Sequence, residues 1–168
     1  MEDDKKYSDW AEEWLDEYVS AEEDIDREIE RLEYLTARMT SIGSQVITGM
    51  PRSTNASTDR MADKLGQKEE LEASIRAAVS EQAKKRKQIE AVIRKLKNTE
   101  ERAVIRLRYL DRTDWNDIQE VMFGMKPDFN DRYDTYKRRM YRVRGTALVN
   151  MGKILEESGE PNTAIPAT

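Results

Sequence analysis

The chain has 168 residues, of which 38% are hydrophobic and 38% charged, and its formal net charge is −5. This balance is poor in core material, so it disfavours a large buried sheet and favours helices with narrow apolar stripes. The sequence contains neither cysteine nor histidine. Disulfides, thiolate metal sites, most zinc sites and nucleophiles that depend on a histidine base are therefore excluded. We expect a protein that is not an enzyme and that carries no cofactor and no metal.

Hydropathy gives no sign of a membrane segment or a leader. The sequence lacks any run of about 18 apolar residues, which is what a membrane-spanning helix requires. The opening residues Met1-Glu2-Asp3-Asp4 are too acidic for a signal peptide. We therefore expect a cytoplasmic protein with no membrane partner.

The net charge conceals a segregation of the two signs along the chain. Residues 1–35 contain 15 acidic and 4 basic side chains, whereas residues 132–153 contain seven basic side chains and one acidic. Because the local field and not the total charge attracts a polyanion, the basic segment favours nucleic acid despite the acidic whole.

An acidic helix is predicted over residues 1–41, with its regular part running from Ser8 to Ser41, because apolar residues recur there at steps of three and four. Its acidic side is either a solvated face or a docking surface for a basic partner, including the basic helix of the chain itself. Trp10 and Trp14 lie one turn apart, and two interpretations are open. They are either packed inside the protein or anchors for a partner.

A second long helix is predicted over residues 59–97, after a flexible loop at 42–58 that is rich in glycine, serine and threonine. Neither long helix can bury its stripe alone, so we expect an antiparallel hairpin with coiled-coil packing, within one chain or between subunits. The basic run 84–87 is either a patch for nucleic acid or an acidic partner, or a solvated face.

Residues 98–157 show a three-helix pattern that ends in a strongly basic helix. Asn98 or Thr99 can cap the first helix, and Thr113 or Asp114 the short second one. The last helix is predicted from Asn130 or Asp131 to Glu156. Gly145 lies inside it, which predicts a close helix contact there. The tail at 158–168 is predicted to be disordered.

A basic helix docked on two others is how helix-turn-helix proteins read DNA. Residues near the start of such a helix meet base edges, and other basic residues meet phosphates. We assign one set of residues to the major groove: Arg132, Thr135, Arg138, Arg139 and Arg142. Lys137 and Arg144 are assigned to phosphates. The alternative is a solvated basic helix that balances the acidic one.

The segment EERAVIRLRYLDRTDWNDIQEVM, residues 100–122, resembles the start of region 4 of sigma-70-type factors. The whole arrangement resembles the ArpU/RinA-like late-transcription regulators of phages of Gram-positive bacteria. The matching segments are Met50-Pro51-Arg52, residues 59–63 (DRMAD) and residues 141–148 (YRVRGTAL). In two features the chain departs from that pattern. Arg144 stands where a histidine is usual, and a long connection with Pro127 follows Gly124.

The resemblance implies an all-α protein in which a helical hairpin precedes a sigma-region-4-like helix-turn-helix domain. It implies a sequence-specific regulator, in a bacterial host cell, that activates phage or prophage late genes. Its partners would be double-stranded DNA, host RNA polymerase and further copies of the chain through the coiled coil. Two alternatives stay open. One is a DNA-packaging component of the small-terminase kind, and the other is an interaction module that uses the acidic helix.

Overall fold

The computed structural model describes the backbone of residues 1–43 and 54–160 and the side chains of residues 1–41 and 59–160. Every regular element in these ranges is helical, which confirms the predicted all-α class. The helices are α1 (Glu2–Gly43), α2 (Thr54–Lys95), α3 (Thr99–Ile105), α4 (Trp115–Phe123) and α5 (Tyr133–Glu157). One π-helical turn, Arg106–Leu110, continues α3.

The chain divides into two compact units that cut across both long helices. The first unit combines residues 1–20, at the start of α1, with the chain from residue 84 onward. The second unit is Ala21–Ala83, which contains the rest of α1 and most of α2. The start of the acidic helix and the basic helix α5 therefore belong to the same unit.

The first unit has a continuous hydrophobic core to which the start of α1 contributes directly. Trp10 and Trp14 are only 3% and 4% exposed to solvent, which confirms the interpretation that they pack inside the protein. Residues at steps of three and four along one helix face can be buried together. That face of α1 packs with buried side chains from α2 through α5, among them Ile89, Leu96, Val104, Tyr109, Ile118, Met140, Leu148 and Met151.

One glycine permits a close approach between α1 and α5, and it is not Gly145. A Cβ atom built on Gly152 would collide with the backbone carbonyl of Tyr7, so only glycine fits at this crossing. Gly145 has open space beside it, and the predicted close contact there is wrong. The spacing of glycines along α5 does not reveal which one faces another helix.

Local chemistry sets the ends of the shorter helices. Asn98 caps α3 by accepting a hydrogen bond from the Glu100 amide at 2.8 Å, as predicted. The π-helical turn ends at Asp111, whose amide donates to the Arg106 carbonyl. Arg112 then adopts a positive φ of 54°. This left-handed residue turns the chain toward α4, which begins after Asp114.

Three helix starts differ from those predicted. α1 begins at Glu2 and not at Ser8, because acidic residues fill its first turn and interact favourably with the helix dipole. α2 already begins at Thr54, and α5 begins only at Tyr133. The remainder of the predicted loop, residues 44–53, lies outside the described residues, and so does the tail from residue 161.

The second unit buries far less than the first. Among the described side chains of Ala21–Ala83, Leu71 is the only hydrophobic one that is buried. Large apolar side chains stay substantially exposed on both helix segments: Ile29, Tyr34, Met61, Leu65 and Val79. Gln82 donates a hydrogen bond to the Glu22 carboxylate at 3.3 Å, which links the two segments within this unit.

Within residues 1–43 and 54–160, none of the helices combines the length and the apolar character that crossing a membrane requires.

Candidate functional site

The start of α5 is held on α4 by two contacts of different kinds. The buried side chain of Gln119 donates a hydrogen bond to the Tyr133 carbonyl at 2.8 Å. The rings of Phe123 and Tyr136 stack with their centroids 5.1 Å apart. Since both contacts lie in the first turn of α5, they fix which face of the helix points outward.

The connection between α4 and α5 is also tied to α5. The Tyr136 hydroxyl donates a hydrogen bond to the Asp128 carboxylate at 2.7 Å. Arg132 forms an ion pair with the same carboxylate at 3.3 Å. The Tyr136 bond, with support from Arg132, lowers the pKa of the Asp128 carboxyl below its ordinary value. The connection is therefore anchored to α5 at its centre, through Asp128, and Arg132 at its end is tied to the same carboxylate.

Trp115, the first residue of α4, is the centre of a cationic and aromatic cluster. The guanidinium carbon of Arg108 lies 4.8 Å from the Trp115 ring centroid, and that of Arg144 lies 5.6 Å from it. The Tyr141 ring packs against the same indole at 5.2 Å. Cations over an indole ring are attracted by its quadrupole, so this cluster joins the π-helical turn, α4 and α5.

The outward side of α5 carries basic side chains that have no partner within the described part of the chain. These are the exposed Arg138 and Arg142 and the half-buried Lys137, and the exposed Thr135 lies on the same stretch. Arg138 and Arg142 are four residues apart and therefore adjacent on one helix face. We call the set Lys137, Arg138 and Arg142 with Thr135 the α5 basic face.

Two of the predicted site residues are exposed but paired. Arg139 forms a charge-assisted contact with the Glu100 carboxylate at 2.7 Å, and its guanidinium also lies over the Phe123 ring. Arg132 is paired with Asp128, as described above. A phosphate or a base would have to compete with a carboxylate for each of them, so both lie at the margin of the α5 basic face.

Arg144 is directed into the protein and away from solvent. Its side chain is 24% exposed and donates to the Glu12 carboxylate and, at 3.1 Å, to the Tyr109 hydroxyl. Burial raises the pKa of the Tyr109 hydroxyl, against the opposing effect of Arg144. The Arg144 guanidinium is thus held by Glu12, Tyr109 and the Trp115 ring, which separates Arg144 from the exposed residues of α5.

Sequence reasoning did not foresee which carboxylates neutralise the basic helix. Glu12 and Glu100 lie 132 and 39 positions from their arginine partners, so no local spacing identifies them. Glu101 is nearly buried, and both of its carboxylate oxygens accept from the Asn150 side-chain amide. The Trp115 cluster was equally hidden, since it joins three separate segments.

The described residues hold no group of three or more acidic side chains that could bind a metal ion. No family model, no curated protein and no solved structure matches the chain.

Proposed function

We propose that the chain is a sequence-specific DNA-binding transcription regulator, with α4 and α5 acting as a helix-turn-helix. The observation that carries the proposal is the α5 basic face. Its cations have no partner among the residues that the structure describes, and they lie on a helix whose other side is fixed by Gln119 and Phe123. A rigid helix with free arginines on one side has the chemistry that major-groove recognition needs.

Roles within this site follow from the surroundings of each residue. Arg138, Arg142 and Thr135 would meet base edges, and Lys137 would meet a phosphate. Arg132 and Arg139 would contribute only where DNA displaces Asp128 or Glu100. We leave Arg144 out of the DNA contacts, because its guanidinium is already occupied by Glu12 and Tyr109.

The resemblance to the ArpU/RinA-like regulators suggests which genes the protein would regulate. The protein would activate late genes of a phage or prophage in the cytoplasm of a bacterial host, at promoter DNA or through contact with RNA polymerase. The segments that carry this extension are Met50-Pro51-Arg52, residues 59–63 and residues 141–148. They are joined by the sigma-region-4-like residues 100–122, which form most of α3, the π-helical turn and most of α4.

We also propose that the second unit associates with its counterpart in another copy of the chain. Among the described side chains of the second unit, Leu71 is the only hydrophobic one that is buried. Its two helix segments therefore gain little stability from folding alone. A second copy would cover Leu65 and Val79, each about half exposed, and complete a coiled-coil bundle.

Replacing Leu65 and Val79 by serine should therefore turn a dimer into a monomer in analytical ultracentrifugation. A wild-type monomer would contradict self-association, and a ring of many subunits would favour the packaging alternative.

Selection of bound duplexes from a random library tests sequence specificity directly. The proposal predicts enrichment of one motif by the full chain, and loss of that motif when Arg138 and Arg142 are both replaced by glutamine. Library recovery without any enriched motif would contradict a sequence-specific regulator. In that case the acidic start of α1 would be the place to search for a protein partner.

A further inference from the structure

A cleft between the end of α2 and α3 is lined by arginines that the proposed helix-turn-helix does not use. It has a volume of about 450 Å³ and lies entirely within the first unit. Its lining includes Arg94, Arg102 and Arg106, together with Thr99 and Ile93. Glu90 is the one acidic residue in this lining, and its carboxylate lies 3.8 Å from the Arg106 guanidinium.

The position of Arg102 is set before any ligand arrives. Its guanidinium donates to the carbonyls of Leu96 and Lys97, at 2.6 and 3.2 Å, and to the Thr99 hydroxyl at 3.1 Å. These three bonds leave some of its five N–H donors unused. A guanidinium held in one orientation loses less entropy when it binds an anion than a free side chain does.

The other two arginines have donors to spare. Arg94 uses its Nε to donate to the Glu90 carbonyl at 3.3 Å, and Arg106 is half exposed, with its guanidinium 3.8 Å from the Glu90 carboxylate. Glu90 also faces Arg86 at 3.4 Å, so its charge is shared between two arginines. The cleft therefore retains a surplus of positive charge.

The charge around the cleft extends along α2. Residues 84–97 contain seven lysine or arginine residues and a single acidic residue, Glu90. Thr99, in the wall of the cleft, is followed by Glu100, which pairs at 2.7 Å with Arg139 at the margin of the α5 basic face. A polyanion lying on α5 would have a second basic surface within reach.

We propose that this cleft binds a phosphate group between Arg94, Arg102 and Arg106. A phosphate group has several oxygens that can accept from more than one guanidinium fork, and the Thr99 hydroxyl in the same lining offers a further donor. The phosphate comes either from a DNA backbone or from a free phosphorylated molecule. The DNA arm of the test rests on the function proposed above, and the free-phosphate arm does not.

The test replaces Arg94 and Arg106 by glutamine and keeps Arg102, because Arg102 also bonds the end of α2. The matched control replaces Arg60 and Arg76, two exposed arginines of the second unit, and removes the same charge. The first probe is inorganic pyrophosphate, followed through the side-chain Nε–H NMR signals of Arg94 and Arg106 and by calorimetry. The second probe is a 20-base-pair duplex, titrated between 50 and 200 mM salt.

A DNA phosphate in the cleft predicts that the R94Q/R106Q variant binds the duplex at least fivefold more weakly, with a salt slope shallower by about one to two. A free phosphate ligand predicts loss of pyrophosphate binding with the DNA affinity unchanged. Either result, with the control unaltered, supports a phosphate site. The proposal is overturned if wild-type protein shows no pyrophosphate shift and R94Q/R106Q binds DNA like the control. Failure of the α5 proposal would instead appear in variants of Arg138 and Arg142, so the two are judged separately.

Discussion

Arg144 of α5 donates a hydrogen bond to the carboxylate of Glu12 in α1, a residue 132 positions away in the chain. The pair is partly buried, with the Arg144 side chain 24% exposed. It connects the acidic start of the chain to the basic helix α5 inside one compact unit. The opposite charges of these two segments thus stabilise the fold, quite apart from any partner.

The Glu12–Arg144 pair is expected to be energetically coupled. Glu12→Gln and Arg144→Met should each destabilise the protein by about 1–3 kcal/mol, because each leaves a partly buried charge without its partner. The double variant should cost less than the sum of the two single changes. Urea denaturation of all four proteins measures this coupling. Strict additivity would show that the contact contributes no pairwise energy.

Trp14 is expected to contribute to stability and not to partner binding. Trp14→Ala removes a large side chain from the core, and such changes cost about 3–5 kcal/mol. Tyr34→Ala is the matched control, since Tyr34 is 58% exposed and its loss should change stability by about 0.5 kcal/mol or less. Urea denaturation followed by circular dichroism compares the two. Equal stability of both variants would favour the partner-anchor interpretation of the tryptophan pair.

Gly152 and Gly145 should respond in opposite directions to alanine. Gly152→Ala forces a methyl group against the Tyr7 backbone and should destabilise the protein by about 1–3 kcal/mol. Gly145→Ala meets open space and should stabilise the helix by up to about 1 kcal/mol. Thermal unfolding of the two variants provides the comparison. A Gly152→Ala protein as stable as wild type would contradict the close crossing of α1 and α5.

The Tyr136–Asp128 hydrogen bond should make stability depend on pH. The bond lowers the pKa of Asp128 in the folded state, so its contribution is present above the unfolded pKa of about 3.9. That contribution is lost as the pH falls through the lower folded pKa. Tyr136→Phe should therefore lower Tm at pH 7, and the difference should shrink as the pH falls through the lowered folded pKa of Asp128. A Tm difference that is constant with pH would indicate lost packing alone.

The periodicity of apolar residues was enough to predict the helices. Apolar steps of three and four identified the face of α1 that carries Trp10 and Trp14, and the Asn98 cap was recognisable from residue type. These features depend on neighbours within one or two helical turns, so they are present in the local sequence.

The partners of the arginines could not be predicted in the same way. Whether an arginine of α5 meets solvent or a carboxylate depends on how α1 and α3 cross it, which local spacing does not determine. Arg144 and Arg142 are neighbours of the same type, yet one is held by Glu12 and the other is exposed. Gly145 and Gly152 differ for the same reason, because one of them faces another helix.

The measurement that most directly tests the account is duplex DNA binding as a function of salt, for wild-type protein, R138Q/R142Q and the control R60Q/R76Q. Arg138 and Arg142 are chosen because they are exposed and unpaired among the described residues. We expect R138Q/R142Q to bind at least tenfold more weakly, with a shallower dependence of affinity on salt, and the control to behave like wild type. If R138Q/R142Q keeps wild-type affinity and salt dependence, α5 is not the DNA-binding helix.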